Sequence, residues 1–389
     1  MMRSSTIDSL NRKKCVLVIR NAFVYDFGGA EKLTVNLAHE LDLNNMYSLI
    51  VSRQPRLLDY AKSQNVKTIR GWWWSKQNWS GKNALLFPAY LIWQIILSIW
   101  YLQLIIRVNP EALHVLSKDD FIAATLIGRL LGKPVIWTDP ADLKHVFRNN
   151  HIWFKNPVGK LVYLASKLAT RVTLVSYSEK VLIEESLGKP LARNFEVIHT
   201  AGKDEKAVPI ERAKEDENAV IFCSTSRLVI AKGISELVEA FNVLSKDSPH
   251  YRLWLVGDGP DEEQFKLKAG DNKYIKFIGH SDKPLAYVAA SDIFTQPTHH
   301  EGFSLALAEA AMLGKPMIAS NVGGNPELVN EGNGLLFHVK DVEALVKAML
   351  LLGSDAVMRK KLGAQARIDY STKFDFATII KQRFIPLYG

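Results

Sequence analysis

Two glutamates eight residues apart, Glu301 and Glu309, lie in the run His300-Glu301-Gly302-Phe303-Ser304-Leu305-Ala306-Leu307-Ala308-Glu309-Ala310. Upstream, Asp292 to Thr298 reads as a buried strand ending at Pro297, and downstream Ser304 suits the N-cap of a helix that stops at Gly314-Lys315-Pro316. The stretch is therefore strand, loop, helix. Backbone N–H groups and the positive end of the helix dipole at Gly302, Phe303 and Ser304 favour an anion, and a phosphate suits them. Glu301 falls in the loop just before that helix end and Glu309 about a turn and a half inside it, so the two carboxylates can accept hydrogen bonds from hydroxyls on either side of a bound phosphate. A nucleotide sugar carries hydroxyls in both places, on its sugar and on its ribose.

A second set of charges points to the same ligand. Arg227 and Lys232 are five residues apart in Ser226-Arg227-Leu228-Val229-Ile230-Ala231-Lys232-Gly233, a loop between an apolar strand and a helix. Both side chains can converge on one doubly charged group, and a diphosphate fits.

The run from Pro297 to Phe337, with Glu301, Glu309, Gly314-Lys315-Pro316 and Val322-Gly323-Gly324-Asn325-Pro326-Glu327 in order, resembles the Glu-x7-Glu signature of family 4 retaining glycosyltransferases of the GT-B fold. Arg227, Lys232 and Gly233 resemble that family's Arg-x4-Lys-Gly element, and Leu253 to Pro260 also matches. The resemblance is strong over residues 219–350 and looser over 1–200. It implies an α/β chain with two Rossmann-like domains facing each other across a cleft, and a final helix crossing back to the first domain. It assigns the donor diphosphate to Arg227, Lys232 and the helix end at Gly302–Leu305, the transferred sugar to Glu301, and the ribose or sugar-phosphate to Glu309. Arg227, Lys232, Glu301 and Glu309 form the expected catalytic set. The nucleobase is expected on backbone groups around Ile278, in Phe277-Ile278-Gly279-His280, and the donor diphosphate and acceptor beside Gly28 and Gly29.

The implied activity is transfer of a sugar from a nucleotide-diphosphate donor to a lipid-linked or cell-surface polysaccharide acceptor. The alternatives are an inactive GT-B subunit that binds membrane or partner enzymes, or another GT-B enzyme such as a nucleotide-sugar epimerase. One departure bears on the mechanism: where the family usually has a histidine after the strand Val135–Thr138, this chain has Asp139-Pro140-Ala141-Asp142-Leu143-Lys144-His145. Asp139, Asp142 and His145 are acceptor-side candidates, each equally readable as a solvated loop residue.

The elements that must position these groups follow from hydrophobic patterning. Cys15–Ile19 is a continuous apolar strand, Gly28-Gly29 precedes a helix from Ala30 to Leu41, and strands recur at Tyr47–Val51, Val66–Ile69, Ala112–Leu116, Val135–Thr138 and Val172–Ser176. Strands alternating with helices call for a parallel sheet. A second alternating domain opens at Ala219–Cys223, after a charged linker from Gly202 to Asn218, and the last helices are expected at Val342–Leu351, Ala356–Tyr370 and Phe374–Leu387. The expected divisions are 1–195 for the acceptor domain, 196–370 for the donor domain and 371–389 for the returning helix.

Composition narrows the class. The 389 residues are 48% hydrophobic, enough for two or three ordinary domains. Two cysteines, Cys15 and Cys223, give neither a disulfide framework nor metal-ligand spacing, and no Asp-x-Asp pair ends a strand, so neither metal nor cofactor is expected. Met1 to Lys14 is polar and basic without an apolar run, so a secretory signal is not expected, and a cytoplasmic location is. The net charge of +9 divides into +11 over residues 1–200 and −2 over the remainder. The positives match no nucleic-acid reader, and the expected partner is an anionic membrane at the inner face of the cell.

Gly71 to Arg107 carries the clearest membrane signal. Trp72, Trp73, Trp74 and Trp79 stand among Lys76 and Lys82, and Asn83 to Ile106 holds no charge. As a helix, Ala84–Ile106 would reach roughly 35 Å. It connects strands of one sheet, so it is expected to lie on the membrane surface with Trp93, Trp100 and Tyr101 outward, rather than to cross; a buried crossover helix is the other reading.

Overall fold

A computed structural model describes residues 14–21, 28–72, 87–139, 143–147, 157–200, 202, 207–246 and 248–389. The chain divides into two compact units, Met1–Thr200 with Ala377–Gly389, and Ala201–Phe376.

The first unit is built on strands β1 (Cys15–Ile19), β2 (Tyr47–Ser52), β3 (Lys67–Arg70), β4 (Ala112–Val115), β5 (Val135–Asp139), β6 (Arg171–Leu174) and β7 (Phe195–Val197). All pair in parallel, in the order β3-β2-β1-β4-β5-β6-β7. β1 is buried at every position, as an unbroken apolar run must be when both faces of a parallel sheet are covered. The crossovers are helices α1 (Gly29–Leu43), α2 (Pro55–Ser63), α3 (Phe87–Val108), α4 (Phe121–Leu130), α5 (Leu143–Phe147), α6 (Pro157–Leu168) and α7 (Tyr177–Leu187). The unit runs to Thr200 rather than 195 because β7 pairs with β6 through Val172↔Phe195 to Leu174↔Val197.

Helix α3 is long and apolar enough to cross a membrane by length and composition, yet it joins β3 to β4 within one sheet. Its outward face differs from the expected one. Tyr101 is fully buried and donates to Asp120 Oδ1 at 2.9 Å, Gln94 donates to the Asp119 carbonyl at 3.2 Å, and Trp93 and Trp100 are partly buried against the core. The residues with polar atoms turn toward the turn at 117–120, where partners exist, because an unpaired buried polar group is costly. Leu91, Ile92, Ile95, Ile96, Ile99 and Ile106 are left exposed. Trp72 packs edge-on against Trp93, with ring centroids 5.7 Å apart. Trp73, Trp74, Trp79, Lys76, Lys82 and the start of the expected helix at 84–86 lie outside the described residues.

The second unit carries β8 (Val220–Thr225), β9 (Tyr251–Val256), β10 (Ile275–Gly279), β11 (Ile293–Gln296), β12 (Met317–Ser320) and β13 (Gly334–Phe337), parallel and ordered β10-β9-β8-β11-β12-β13. Its helices are α8 (Ile234–Ser245), α9 (Glu262–Ala269), α10 (Pro284–Ala290), α11 (Leu305–Met312), α12 (Asn325–Leu328), α13 (Val342–Ser354) and α14 (Ala356–Asp369).

The C-terminal stretch is not the single helix expected over Phe374–Leu387. A π-helical turn at Tyr370–Phe374 gives way at Asp375 (ψ 115°) to a short helix, α15 (Phe376–Ile379), a second π turn (Ile380–Phe384) and a 3-10 turn (Ile385–Tyr388). Tyr370, Phe374, Phe376, Ile380, Phe384 and Tyr388 are buried along this stretch. Pro386 closes the regular helix by removing an N–H donor. Ala377, rather than 371, is where this stretch joins the first unit. There the buried His114 imidazole bonds Tyr388 Oη and Thr138 Oγ1, each at 2.6 Å, and stacks on Phe384. Burial pushes the His114 pKa down to about 3, so the ring stays neutral.

Candidate functional site

In the second sheet the strand order reverses between β8 and β11, and a crevice outside the carboxyl ends of the strands at such a switch point is where open α/β sheets bind ligands. The two loops leaving β8 and β11 carry Arg227 with Lys232, and Glu301. They are seated tightly on each other: Gly233 has φ +68°, and a Cβ there would lie 1.9 Å from the Pro297 carbonyl oxygen. The Ala231 carbonyl accepts from His299 N at 2.8 Å and from Thr298 Oγ1 at 3.2 Å. Glu236, in the first turn of α8, pairs with His299 Nε2 at 2.9 Å.

That seating brings Lys232 Nζ to 2.8 Å from Glu301 Oε2, with both side chains largely shielded. Gln296 Nε2 donates to the same carboxylate oxygen at 3.2 Å. Gly323 guards the other side of the Glu301 backbone, with φ +53° and room only for hydrogen: a Cβ would meet the Glu301 carbonyl oxygen at 1.7 Å.

Helix α11 starts as the sequence requires. Ser304 is its N-cap, and its Oγ accepts from Leu307 N at 3.1 Å. Gly302 and Leu305 are half-buried beside it, and Phe303 is buried against Phe374, with ring centroids 5.6 Å apart. The first-turn N–H groups of a helix have no partner within the helix, so this end presents donors and positive potential. Glu309 is half-buried one turn on, near Gly202, whose carbonyl accepts from Tyr370 Oη at 2.6 Å. Arg227 is exposed after β8, in a loop held by Leu228 N donating to the Asp258 carbonyl at 2.7 Å. Ile278 is half-buried in β10, next to Gly279, whose carbonyl accepts from Gly257 N at 2.9 Å.

The first unit holds the remaining candidates. Its own order reverses between β1 and β4, and the residues following those strands interlock: Arg20 Nη1 donates to the Leu116 carbonyl at 2.6 Å and Arg20 Nη2 pairs with Glu31 at 3.0 Å. Gly28 N donates to Glu31 Oε2 at 3.1 Å, so Gly28-Gly29 opens α1 as one half of a capping box. Asp139 is neither a solvated loop residue nor open to a ligand. It is buried, its Oδ2 accepts from Leu143 N at 2.7 Å, and it faces the buried Glu179. Burial, then the nearby Asp139 charge, raises the Glu179 pKa far above the usual carboxylate range. Asp142 and the His145 side chain lie outside what is described.

A family model described as "Glycosyl transferases group 1" matches residues 206–369. An uncharacterized glycosyltransferase of Methanocaldococcus jannaschii is 28% identical over 293 residues, 69% of this chain and 73% of the relative. A GDP-mannose-dependent monoacylated alpha-(1-6)-phosphatidylinositol monomannoside mannosyltransferase of Corynebacterium glutamicum is 31% identical over 42% of this chain, and is matched over only 46% of its own length. Among solved structures, a glycosyltransferase of Rickettsia africae superposes with a TM-score of 0.75 at 19% identity, covering 97% of this chain and 98% of that one. Anabaena HepE, in complex with UDP and glucose, gives 0.73 at 16%, covering 97% and 99%. The chain has the GT-B fold, and its residues 206–369 match the glycosyl transferases group 1 family.

In this GT-B protein Arg227, Lys232, Glu301 and Glu309, spread over 82 positions of sequence, come from loops and a helix around one switch point, whereas Ile278 stands in the edge strand β10 and Gly28 and Gly29 in the first unit. Three further residues escaped the sequence reading: Gln296, Glu236 and His299. For Gln296 a signal existed, since it is an amide at the carboxyl end of the buried strand Ile293-Phe294-Thr295-Gln296. Both cysteines are buried with pKa values pushed up to about 12, which leaves their thiols protonated and poor nucleophiles.

Proposed function

We propose that this chain is a family 4 retaining glycosyltransferase that moves a sugar from a nucleotide-diphosphate donor to a lipid-linked or cell-surface polysaccharide acceptor. The observation that carries the reading is the convergence of Lys232 and Glu301, 2.8 Å apart, beside the capped start of α11. It offers a diphosphate a cation and a helix N-terminus, and offers the attached sugar a carboxylate. Arg227 and Lys232, with the first turn of α11, neutralise charge developing on the leaving diphosphate, so a metal ion is not needed for that task. Glu301 accepts from a hydroxyl of the transferred sugar, Glu309 accepts from a ribose hydroxyl or contacts the sugar-phosphate, and backbone groups around Ile278 seat the nucleobase.

Support for the donor class comes from Anabaena HepE, solved with UDP-glucose. Support for the acceptor class comes from relatives named as lipopolysaccharide core biosynthesis glycosyltransferases of Rhizobium meliloti and a capsular polysaccharide biosynthesis glycosyltransferase of Staphylococcus aureus. The basic first half and the exposed apolar face of α3 favour peripheral attachment to the inner face of the cell membrane, where such acceptors are met.

Proton NMR of the first product formed from an anomerically pure donor tests the stereochemistry. The new glycosidic bond is expected to keep the donor's anomeric configuration. An inverted product would refute the retaining assignment while leaving glycosyl transfer standing.

A further inference from the structure

Gln296 ends β11 at the base of the donor site, and its side chain bridges two functional groups. Its Nε2 donates to Glu301 Oε2 at 3.2 Å, and its Oε1 accepts from the Ser304 hydroxyl. The direction of the amide follows from the network. The Glu301 carboxylate can only accept, so the amide group that faces it is the NH2, and Ser304, whose Oγ accepts from Leu307 N as the cap of α11, donates its one hydrogen to the amide oxygen. The amide oxygen must therefore face Ser304, and the NH2 group must face the carboxylate. Lys232 Nζ holds the same Oε2 at 2.8 Å, and Oε1 of Glu301 has no partner among the described residues.

We infer that Gln296 is a positioning residue: together with Lys232 it fixes one oxygen of Glu301, so that the other is held ready for a hydroxyl of the transferred sugar. The inference rests on the glycosyl-transfer reading above. It adds that the register between Glu301 and the anion-binding end of α11 is set by one buried amide. When a diphosphate draws Lys232 away, Gln296 is the contact that remains on the carboxylate, so its contribution is largest in the donor-bound state. Among the described residues its side-chain polar atoms bond Glu301 and Ser304, and neither Arg227 nor Lys232.

The test compares Gln296→Met and Gln296→Glu, both close to the native volume, in the full chain. Turnover with a nucleotide sugar, affinity for the matching nucleoside diphosphate and melting temperature are measured. A side chain that only fills space would treat the two variants alike. A donor to Glu301 predicts an order: Gln296→Met lowers kcat about 10- to 100-fold, and Gln296→Glu, which sets a second carboxylate against Glu301, lowers it further. Nucleoside diphosphate affinity should stay within about 3-fold of wild type in Gln296→Met, because that ligand lacks the sugar. Should Gln296→Met fail to fold, Gln296→Asn, which keeps the amide but withdraws it by a methylene, should show the same loss of kcat with nucleotide affinity kept. Wild-type turnover in both isosteric variants, or equal losses of turnover and nucleotide affinity, would overturn the inference. Absence of turnover in the wild-type protein with every nucleotide sugar would instead overturn the reading on which it rests.

Discussion

Lys232→Ala and Glu301→Gln are expected to move nucleoside diphosphate affinity in opposite directions. The pair is 2.8 Å apart and largely shielded from solvent, so in the unliganded protein Glu301 occupies the cation that a diphosphate needs. A ligand must draw Lys232 away from a carboxylate before gaining its full charge. Removing the ammonium loses a charge-assisted hydrogen bond, about 1.5–3 kcal/mol, or roughly 10- to 150-fold in Kd. Replacing Glu301 by Gln keeps an acceptor for Gln296 but removes the competing charge. Nucleoside diphosphate should then bind about 2- to 5-fold more tightly, on the scale of a partly exposed ion pair. Turnover should nonetheless fall about 100-fold in Glu301→Gln, since a sugar hydroxyl loses its charged acceptor. Titration calorimetry with the nucleoside diphosphate and steady-state kinetics on both variants decide the matter. Parallel weakening of diphosphate binding in the two would mean that the pair acts as one structural clip rather than as competitors for the ligand.

The second large effect concerns the outer face of α3. Ile95 and Ile99 are more than half exposed on one side of a helix whose opposite side is buried on the sheet. Fully burying an isoleucine is worth about 1.5–3 kcal/mol, so each half-exposed side chain offers lipid about 1 kcal/mol, comparable with the roughly 1 kcal/mol per Lys or Arg near an anionic surface. Vesicles containing anionic lipid should sediment the wild-type protein at low salt, with partial release by high salt or alkaline carbonate, because screening removes only the charge contribution. Ile95→Asp with Ile99→Asp should abolish binding at high salt and weaken it at least about 100-fold at low salt. Failure of the wild-type protein to sediment at low salt would assign this face to something other than lipid. Retention through carbonate extraction would require a span, which would tear β3 from the sheet that also holds β4.

Much of the frame was legible because single-residue physics decided it. β1 reads as a central strand from its five consecutive apolar residues, and Ser304 caps α11 because its position and type leave few alternatives. What was hidden depended on partners distant in sequence. The inward turn of Tyr101 follows from Asp120, and the burial of Asp139 from Leu143 and Glu179. The charged pair at the site lay between these extremes. Arg227 with Lys232, and Glu301 with Glu309, are visible as spacings, but the contact between Lys232 and Glu301 exists only because Gly233 and Gly323 admit neighbouring backbone where no side chain fits. Gln296 shows the same dependence, since its amide has meaning only once Glu301 and Ser304 are brought to either end of it.

The central claim, that the switch point of the second sheet binds a nucleotide-sugar diphosphate, is tested most directly by melting the protein with each of a panel of nucleoside diphosphates and nucleotide sugars. A ligand at 100 times its Kd stabilises the folded state by about 2.7 kcal/mol, enough to raise the melting temperature of a chain this size by several degrees. At least one base in the panel should do so at millimolar concentration, and Lys232→Ala should abolish most of that rise. No rise with any member of the panel, or an undiminished rise in Lys232→Ala, would contradict the account.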